Sequence, residues 1–209
     1  MLDHRIRPII DPITAKIARY ISRTGLNANA ISIIGAGVGV AAFCALCLQD
    51  FGLALILIAI NRIFDGLDGA VARQLGATDF GGYLDIVLDF IFYALVPLGF
   101  AIAMPDHAIA AAVLIVSFVG TGTSFLAFAI LAEKNQMSTD IRGKKSLYYL
   151  GGLTEGTETI AVLLIMCVWP SYFHIFAYIF AALCWITTAT RIYWAYECFA
   201  PSANKPISE

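Results

Sequence analysis

Five aspartates crowd into one stretch, FDGLDGAVARQLGATDFGGYLDIVLDF: Asp65, Asp68, Asp79, Asp85 and Asp89. The runs beside it, LALILIAI and IFYALVPLGF, are apolar enough for lipid. On a helix, Asp65, Asp68, Gly69 and Ala72 project within an arc of about 100°. Asp85 and Asp89 stand at i and i+4 and share one face of the next helix. The linker between the two segments is short, which predicts antiparallel neighbours with four carboxylates at one depth. Asp79 falls in the linker and reads as a solvated turn or cap residue.

Four ionised carboxylates so close together repel one another and are costly near lipid. Arg62 and Arg73 are too few to neutralise them. Divalent cations with oxygen ligands answer the charge, and Mg²⁺ typically also coordinates substrate phosphates. Gly69 and Ala72 are small and leave space for a bulky ligand near the backbone. Arg73, at the helix end, can balance phosphate charge. Arg62 lies inside the apolar segment and is expected to pair with a carboxylate of the cluster.

The elements that position these groups are membrane helices. Of 209 residues, 60% are hydrophobic and 13% charged, about half the charged share of a soluble domain. The formal net charge is −2, and no nucleic-acid partner is expected. The N-terminus lacks the apolar core of a cleavable leader, so the first apolar run is expected to be a permanent anchor. A span needs about 20 mostly apolar residues. Six candidates follow, at 30–49, 52–73, 81–104, 107–132, 147–169 and 171–197. The fold class is therefore an all-α integral membrane protein, one domain over 1–209, with a six-helix core at 30–197 and a tail at 200–209.

Lys and Arg gather on one side of these spans: Arg5, Arg7, Lys16, Arg19 and Arg23 before the first, Arg73 after the second, Lys134, Arg142, Lys144 and Lys145 after the fourth, Arg191 and Lys205 at the end. Both termini and the acidic cluster are accordingly expected on the cytoplasmic side. Residues 1–24 read as an interfacial helix, with Asp11 as cap and Pro12 at its first position. Ile13, Ile17, Tyr20 and Ile21 share one face, and Lys16, Arg19 and Arg23 the other, as in a helix lying in the headgroup layer. The five cysteines are scattered through apolar segments and read as small core residues, and the three histidines form no ligand pattern.

The run Asp65-Gly-Leu-Asp68-Gly69-Ala-Val-Ala72-Arg73, followed by Gly81 and then Asp85 and Asp89, resembles the signature of the CDP-alcohol phosphatidyltransferases, D-x-x-D-G-x-x-A-R, a spacer, G-x-x-x-D-x-x-x-D. Every fixed residue is present, and the spacer is one residue shorter than is common. Asn29 and Ser32, in LNANAISIIG, resemble the family's Asn-x-x-Thr segment, with Ser in place of Thr. The chain is similar to bacterial inner-membrane members whose acceptor is unassigned.

The resemblance implies displacement of CMP from CDP-diacylglycerol by the hydroxyl of a polar alcohol, within phospholipid biosynthesis. It implies two divalent ions, Mg²⁺ or Mn²⁺, on Asp65, Asp68, Asp85 and Asp89, with Asp89 also taking the acceptor's proton. Gly69, Ala72, Arg73 and Gly81, with Asn29 and Ser32, then form the CDP site. Membrane lipids and a second copy of the chain are the further partners it implies, and Gly120 and Gly122 are small enough for close helix packing. For the acceptor, Arg142, Lys144, Lys145 and Arg191 are candidates, as are Glu155 and Glu158, placed at i and i+3 within the fifth span. Simple positive-inside anchoring explains the three loop cations equally well. A transporter or ion-binding protein using the same carboxylates is the alternative, but transport favours acids near midplane and internal repeats, and neither is visible.

Overall fold

The computed structural model describes residues 3–22, 25–135 and 152–200. They form seven α-helices: α1 (Asp3–Ser22), α2 (Ala28–Cys47), α3 (Phe51–Leu75), α4 (Asp79–Ala103), α5 (Ala108–Lys134), α6 (Gly156–Val168) and α7 (Phe173–Phe199). Single 3₁₀ turns at Pro105–His107 and Pro170–Tyr172 lead into α5 and α7.

The helix starts follow from side-chain caps. Asn27 Oδ1 accepts from Ala30 N at 2.9 Å, Asp50 Oδ1 from Leu53 N at 2.9 Å, and Thr78 Oγ1 from Gly81 N at 3.1 Å. Each satisfies an N–H that the first turn leaves without a partner. The Asn27 cap also starts α2 two residues ahead of the expected position 30. Asp79 lies in the first turn of α4, exposed and away from the other acids.

The chain is an all-helical membrane protein. Four segments are long and apolar enough to cross a bilayer: Ala28–Cys47, Asp79–Ala103, Pro105–Lys134 and Pro170–Phe199. Their outward faces carry large apolar side chains, among them Ile33, Val40, Ile102, Ile109, Ile130 and Ile179. Inside, small residues such as Ala42, Ala45, Ala110, Ala111, Ala177 and Ala181 let the helices approach closely. At the end away from the acids, Phe100 stacks between Phe51 at 5.7 Å and Phe173 at 4.4 Å, tying α3, α4 and α7 together.

Four expectations change. First, α3 and α4, joined by only three residues, meet through long side chains, Arg62 on Asp89 and Phe92, and Phe51 on Phe100, while α2 lies along both. The two acidic helices leave a cleft between them with α2 as its back wall. A short linker dictates direction, but what fills the groove between two helices depends on a third element.

Second, α1 begins well before Asp11, so Pro12 lies inside the helix. Pro12 is exposed, and water can take the carbonyl its missing N–H leaves open, which limits the cost. Third, α1 has three faces. Ala18 is fully buried against α3, Ile17 and Tyr20 are exposed on one side, and Lys16 and Arg19 are exposed on another. It packs on protein and also keeps apolar and basic faces free.

Fourth, Gly120 and Gly122 serve packing within the chain. A Cβ at Gly120 would lie 3.0 Å from the Trp185 ring, and one at Gly122 would lie 2.1 Å from the Phe90 ring.

Candidate active site

The cleft is lined by Ser32, Gly35 and Ala36 from α2, Asn61, Arg62, Asp65 and Asp68 from α3, and Asp85, Leu88 and Asp89 from α4. All four expected acids therefore meet on one surface. They lie near the C-terminal end of α3 and the N-terminal end of α4, one end of the bundle.

Arg62 occupies the middle of the cluster. Its Nη1 donates to Asp89 Oδ1 at 2.7 Å and stands 3.6 Å from Asp65 Oδ2. The expected pairing with a carboxylate is thus met twice. Asp68 is buried and accepts from Ser32 Oγ at 2.6 Å, a short charge-assisted bond. Asp85 has no hydrogen-bond or ion-pair partner among the described residues.

The other expected contacts divide. Asn29 reaches the start of α4: a Cβ at Gly81 would lie 3.0 Å from Asn29 Oδ1 and 3.0 Å from Thr78 Oγ1. Ser32 lines the cleft, while Asn29 and Gly81 meet each other outside its lining, where a larger residue at 81 would press on Asn29. A Cβ at Gly69 would be 3.4 Å from Arg73 Nη1, so the exposed Arg73 folds back over the glycine. Ala72 lies on the same helix, half-buried.

Arg191 is buried on α7, where its Nη1 donates to Thr121 O at 2.8 Å and its Cζ lies 5.5 Å from the Phe125 ring centroid. Its Nε has no hydrogen-bond partner among the described residues. Glu155 faces it electrostatically. Glu155 and Glu158 are not in the middle of a helix: Glu155 is the N-cap residue of α6 and Glu158 lies in its first turn. The segment before α6 is held to α7, with Thr154 Oγ1 donating to Thr187 Oγ1 at 3.0 Å. That anchor delays the helix and moves both acids toward its end. Arg142, Lys144 and Lys145 lie outside the described residues.

Asn61 is the residue sequence reasoning missed. Its Oδ1 accepts from Arg62 Nε at 2.8 Å and Nη2 at 2.5 Å, and its Nδ2 donates to Gly35 O at 2.8 Å. An Asn beside an Arg in an apolar run is the available signal, since both are costly there without partners.

Hard divalent ions suit four carboxylates on one open cleft, with Asp85 held by no other group. Among the described residues no three acids, histidines or cysteines already converge as a closed ligand set. Arg62 bridges Asp89 and Asp65 where such a set would close, and the enclosed room is about 20 Å³. That volume admits one water-sized group; the remaining ligand space is on the open side. The donor set fits divalent metal, with Arg62 as an added cation.

The helical bundle with an acid-lined cleft at one end defines a class. The CDP-alcohol phosphatidyltransferase family model matches residues 26–193, and the chain belongs to that family of enzymes. It is 48% identical over 197 residues to the inner membrane protein YnjF of Escherichia coli (strain K12), covering 94% of this chain and 96% of that one. It is 27% identical over 192 residues to the archaetidylinositol phosphate synthase of Pyrococcus horikoshii, covering 90% and 94%.

Two solved structures of phosphatidylinositol phosphate synthase (PgsA1) from Mycobacterium tuberculosis, both 25% identical, share the fold. The one with CDP-DAG bound superposes with a TM-score of 0.74 over 95% of this chain and 100% of that chain. The one in complex with manganese and citrate gives 0.70 over 93% of each.

Proposed function

We propose that this enzyme transfers a phosphatidyl group from CDP-diacylglycerol to the hydroxyl of a small polar alcohol and releases CMP. The reading rests above all on one observation: Asp65, Asp68, Asp85 and Asp89, from two successive helices, line a single open cleft. The CDP-DAG and manganese seen with the mycobacterial relative support it.

Asp65, Asp68, Asp85 and Asp89 are the residues that hold two divalent ions, Mg²⁺ or Mn²⁺. Such ions, when bound, offset the charge of the diphosphate and of the departing CMP. Ser32 keeps Asp68 aimed at the cleft. Asn29, Gly69, Ala72, Arg73 and Gly81 shape the nucleotide site, where the lack of a Cβ at Gly69 and Gly81 lets the ligand approach the backbone. Asp89 takes the acceptor's proton as the new oxygen–phosphorus bond forms and the bond to CMP breaks. The cleft between α3 and α4 lets the acyl chains stay in lipid while the polar parts meet at the bundle's end.

We read α3 and α6 as the remaining two of six spans, in one catalytic domain of the bacterial inner membrane. Both termini and the cleft face the cytoplasm. A homodimer is the assembly the family implies. The acceptor is read as a small hydroxyl-rich alcohol, free or phosphorylated, met by the buried Arg191 with Glu155 and Glu158 nearby. The names of the archaeal and mycobacterial relatives, an archaetidylinositol phosphate synthase and a phosphatidylinositol phosphate synthase, support a polyol.

Purified protein supplied with Mn²⁺ and CDP-diacylglycerol should release CMP when given one of glycerol 3-phosphate, inositol, inositol phosphate, serine or choline. Asp89→Asn should reduce that release by about a hundredfold or more, the usual worth of a positioned base. Undiminished CMP release from Asp89→Asn would remove its assigned role.

A further inference from the structure

Arg62 is the only cation lining the acidic cleft among the described residues, and neutral groups also hold it there. Asn61 Oδ1 accepts two of its N–H groups, at 2.8 and 2.5 Å. Asn61 is itself fixed, because its Nδ2 donates to the Gly35 carbonyl at 2.8 Å. The guanidinium carbon lies 4.3 Å from the Phe92 ring centroid, a cation–π distance. Gly39 makes room for this seat: a Cβ there would lie 3.1 Å from Phe92 and 3.2 Å from Asn61 Nδ2. Helices α2, α3 and α4 thus each contribute to one preformed holder, and the Nη1 edge left over faces Asp89 and Asp65.

An arginine that served only to neutralise one acid would need none of this. The holder keeps the positive charge in place whether or not the carboxylates turn toward another cation. Arg62 also engages Asp89 through Oδ1, and Asp89 lines the cleft. We infer that Arg62 is a resident counter-ion of the metal cleft: it positions Asp89 and, by like-charge repulsion, makes the cleft bind divalent metal more weakly than its four carboxylates alone would. The inference rests on the two-metal reading above and adds to it a residue outside the acid signature.

Removing the charge should therefore have two opposite effects. Metal should bind more tightly, because a unit positive charge a few ångströms from a divalent ion has gone. Transfer should slow, because Asp89 has lost its holder. A residue with a merely structural role would lower stability without tightening metal.

The experiment measures Mn²⁺ binding to purified full-length protein by the electron paramagnetic resonance signal of free Mn²⁺, without nucleotide. Arg62→Met should bind at least about tenfold more tightly than the unchanged protein. Arg62→Lys keeps the charge and should stay within about threefold. CMP release should fall about tenfold or more in Arg62→Met and recover in part in Arg62→Lys. Equal or weaker Mn²⁺ binding by Arg62→Met overturns the inference. Arg62→Gln, neutral and polar, carries the same test where the methionine variant does not fold.

Asp68→Asn separates the two readings. Mn²⁺ binding that Asp68→Asn abolishes but Arg62→Met does not tighten overturns the counter-ion alone. Absence of Mn²⁺ binding to the unchanged protein overturns both.

Discussion

Ser32 and Asp68 belong to different helices and meet at 2.6 Å. Ser32 Oγ also reaches Ala28 O at 3.2 Å, so the hydroxyl is shared between its own helix and the acid. Hydrogen bonds to charged groups are worth about 1.5–3 kcal/mol. Ser32→Ala should therefore reduce CMP release about tenfold or more, while Ser32→Thr, which retains the hydroxyl, should stay near the unchanged rate. Equal rates for all three proteins would show that Ser32 does not hold Asp68 for the reaction. The aspartates were legible in the sequence because three- and four-residue spacings place side chains on one helical face whatever surrounds them. Asn61 was not, because its role depends on a carbonyl of another helix, and no local spacing encodes that.

At the scale of elements, α2 is the helix on which the site depends. Its buried face includes Gly35, Gly39, Ala42 and Ala45, and so both acidic helices can lie close to it. A Cβ at Gly35 would stand 2.9 Å from Phe64 Cβ, next to Asp65. Gly122 plays the matching part on α5, with the Phe90 ring of α4 where its side chain would be. Gly122→Ala should push Phe90 and lower stability by about 1–3 kcal/mol, the usual cost of overpacking. The check is thermal unfolding in detergent; an unchanged midpoint would show that α4 and α5 have slack there. Hydropathy marks α2 and α5 as membrane segments without revealing which glycines face which ring, since their apolar residues run all round the helix.

For the molecule as a whole, orientation is the property to test. The turns alternate ends: α1 and the α3–α4 turn lie together, with Gln74 Nε2 donating to Ala15 O at 3.0 Å, while the α2–α3, Pro105 and Pro170 turns lie at the opposite end, where Gln49 Nε2 donates to Ala103 O at 2.8 Å and the His107 and His174 rings stack. Lys16 and Asp106 are exposed at the two ends. All five native cysteines are free, so they can be replaced before a single cysteine is introduced. Lys16→Cys should react with a membrane-impermeant maleimide only in inside-out vesicles, and Asp106→Cys only in vesicles of native orientation. Labelling of both from one side would contradict the proposed topology.

The helical membrane class and the shared faces of the four acids could be read before folding, because hydropathy and helical periodicity are local properties seen within a few turns, and the family followed from the resemblance of the motif. Arg62 could likewise be placed among the acids, since an intramembrane charge demands a partner. Packing across the bundle set the rest: α2 backs the cleft between α3 and α4, Asn61 and Phe92 seat the arginine, and Glu155 and Glu158 sit at a helix start. Those outcomes depend on which surfaces of distant helices fit together. Such fit is set by side-chain volume across the bundle and has no period along the chain.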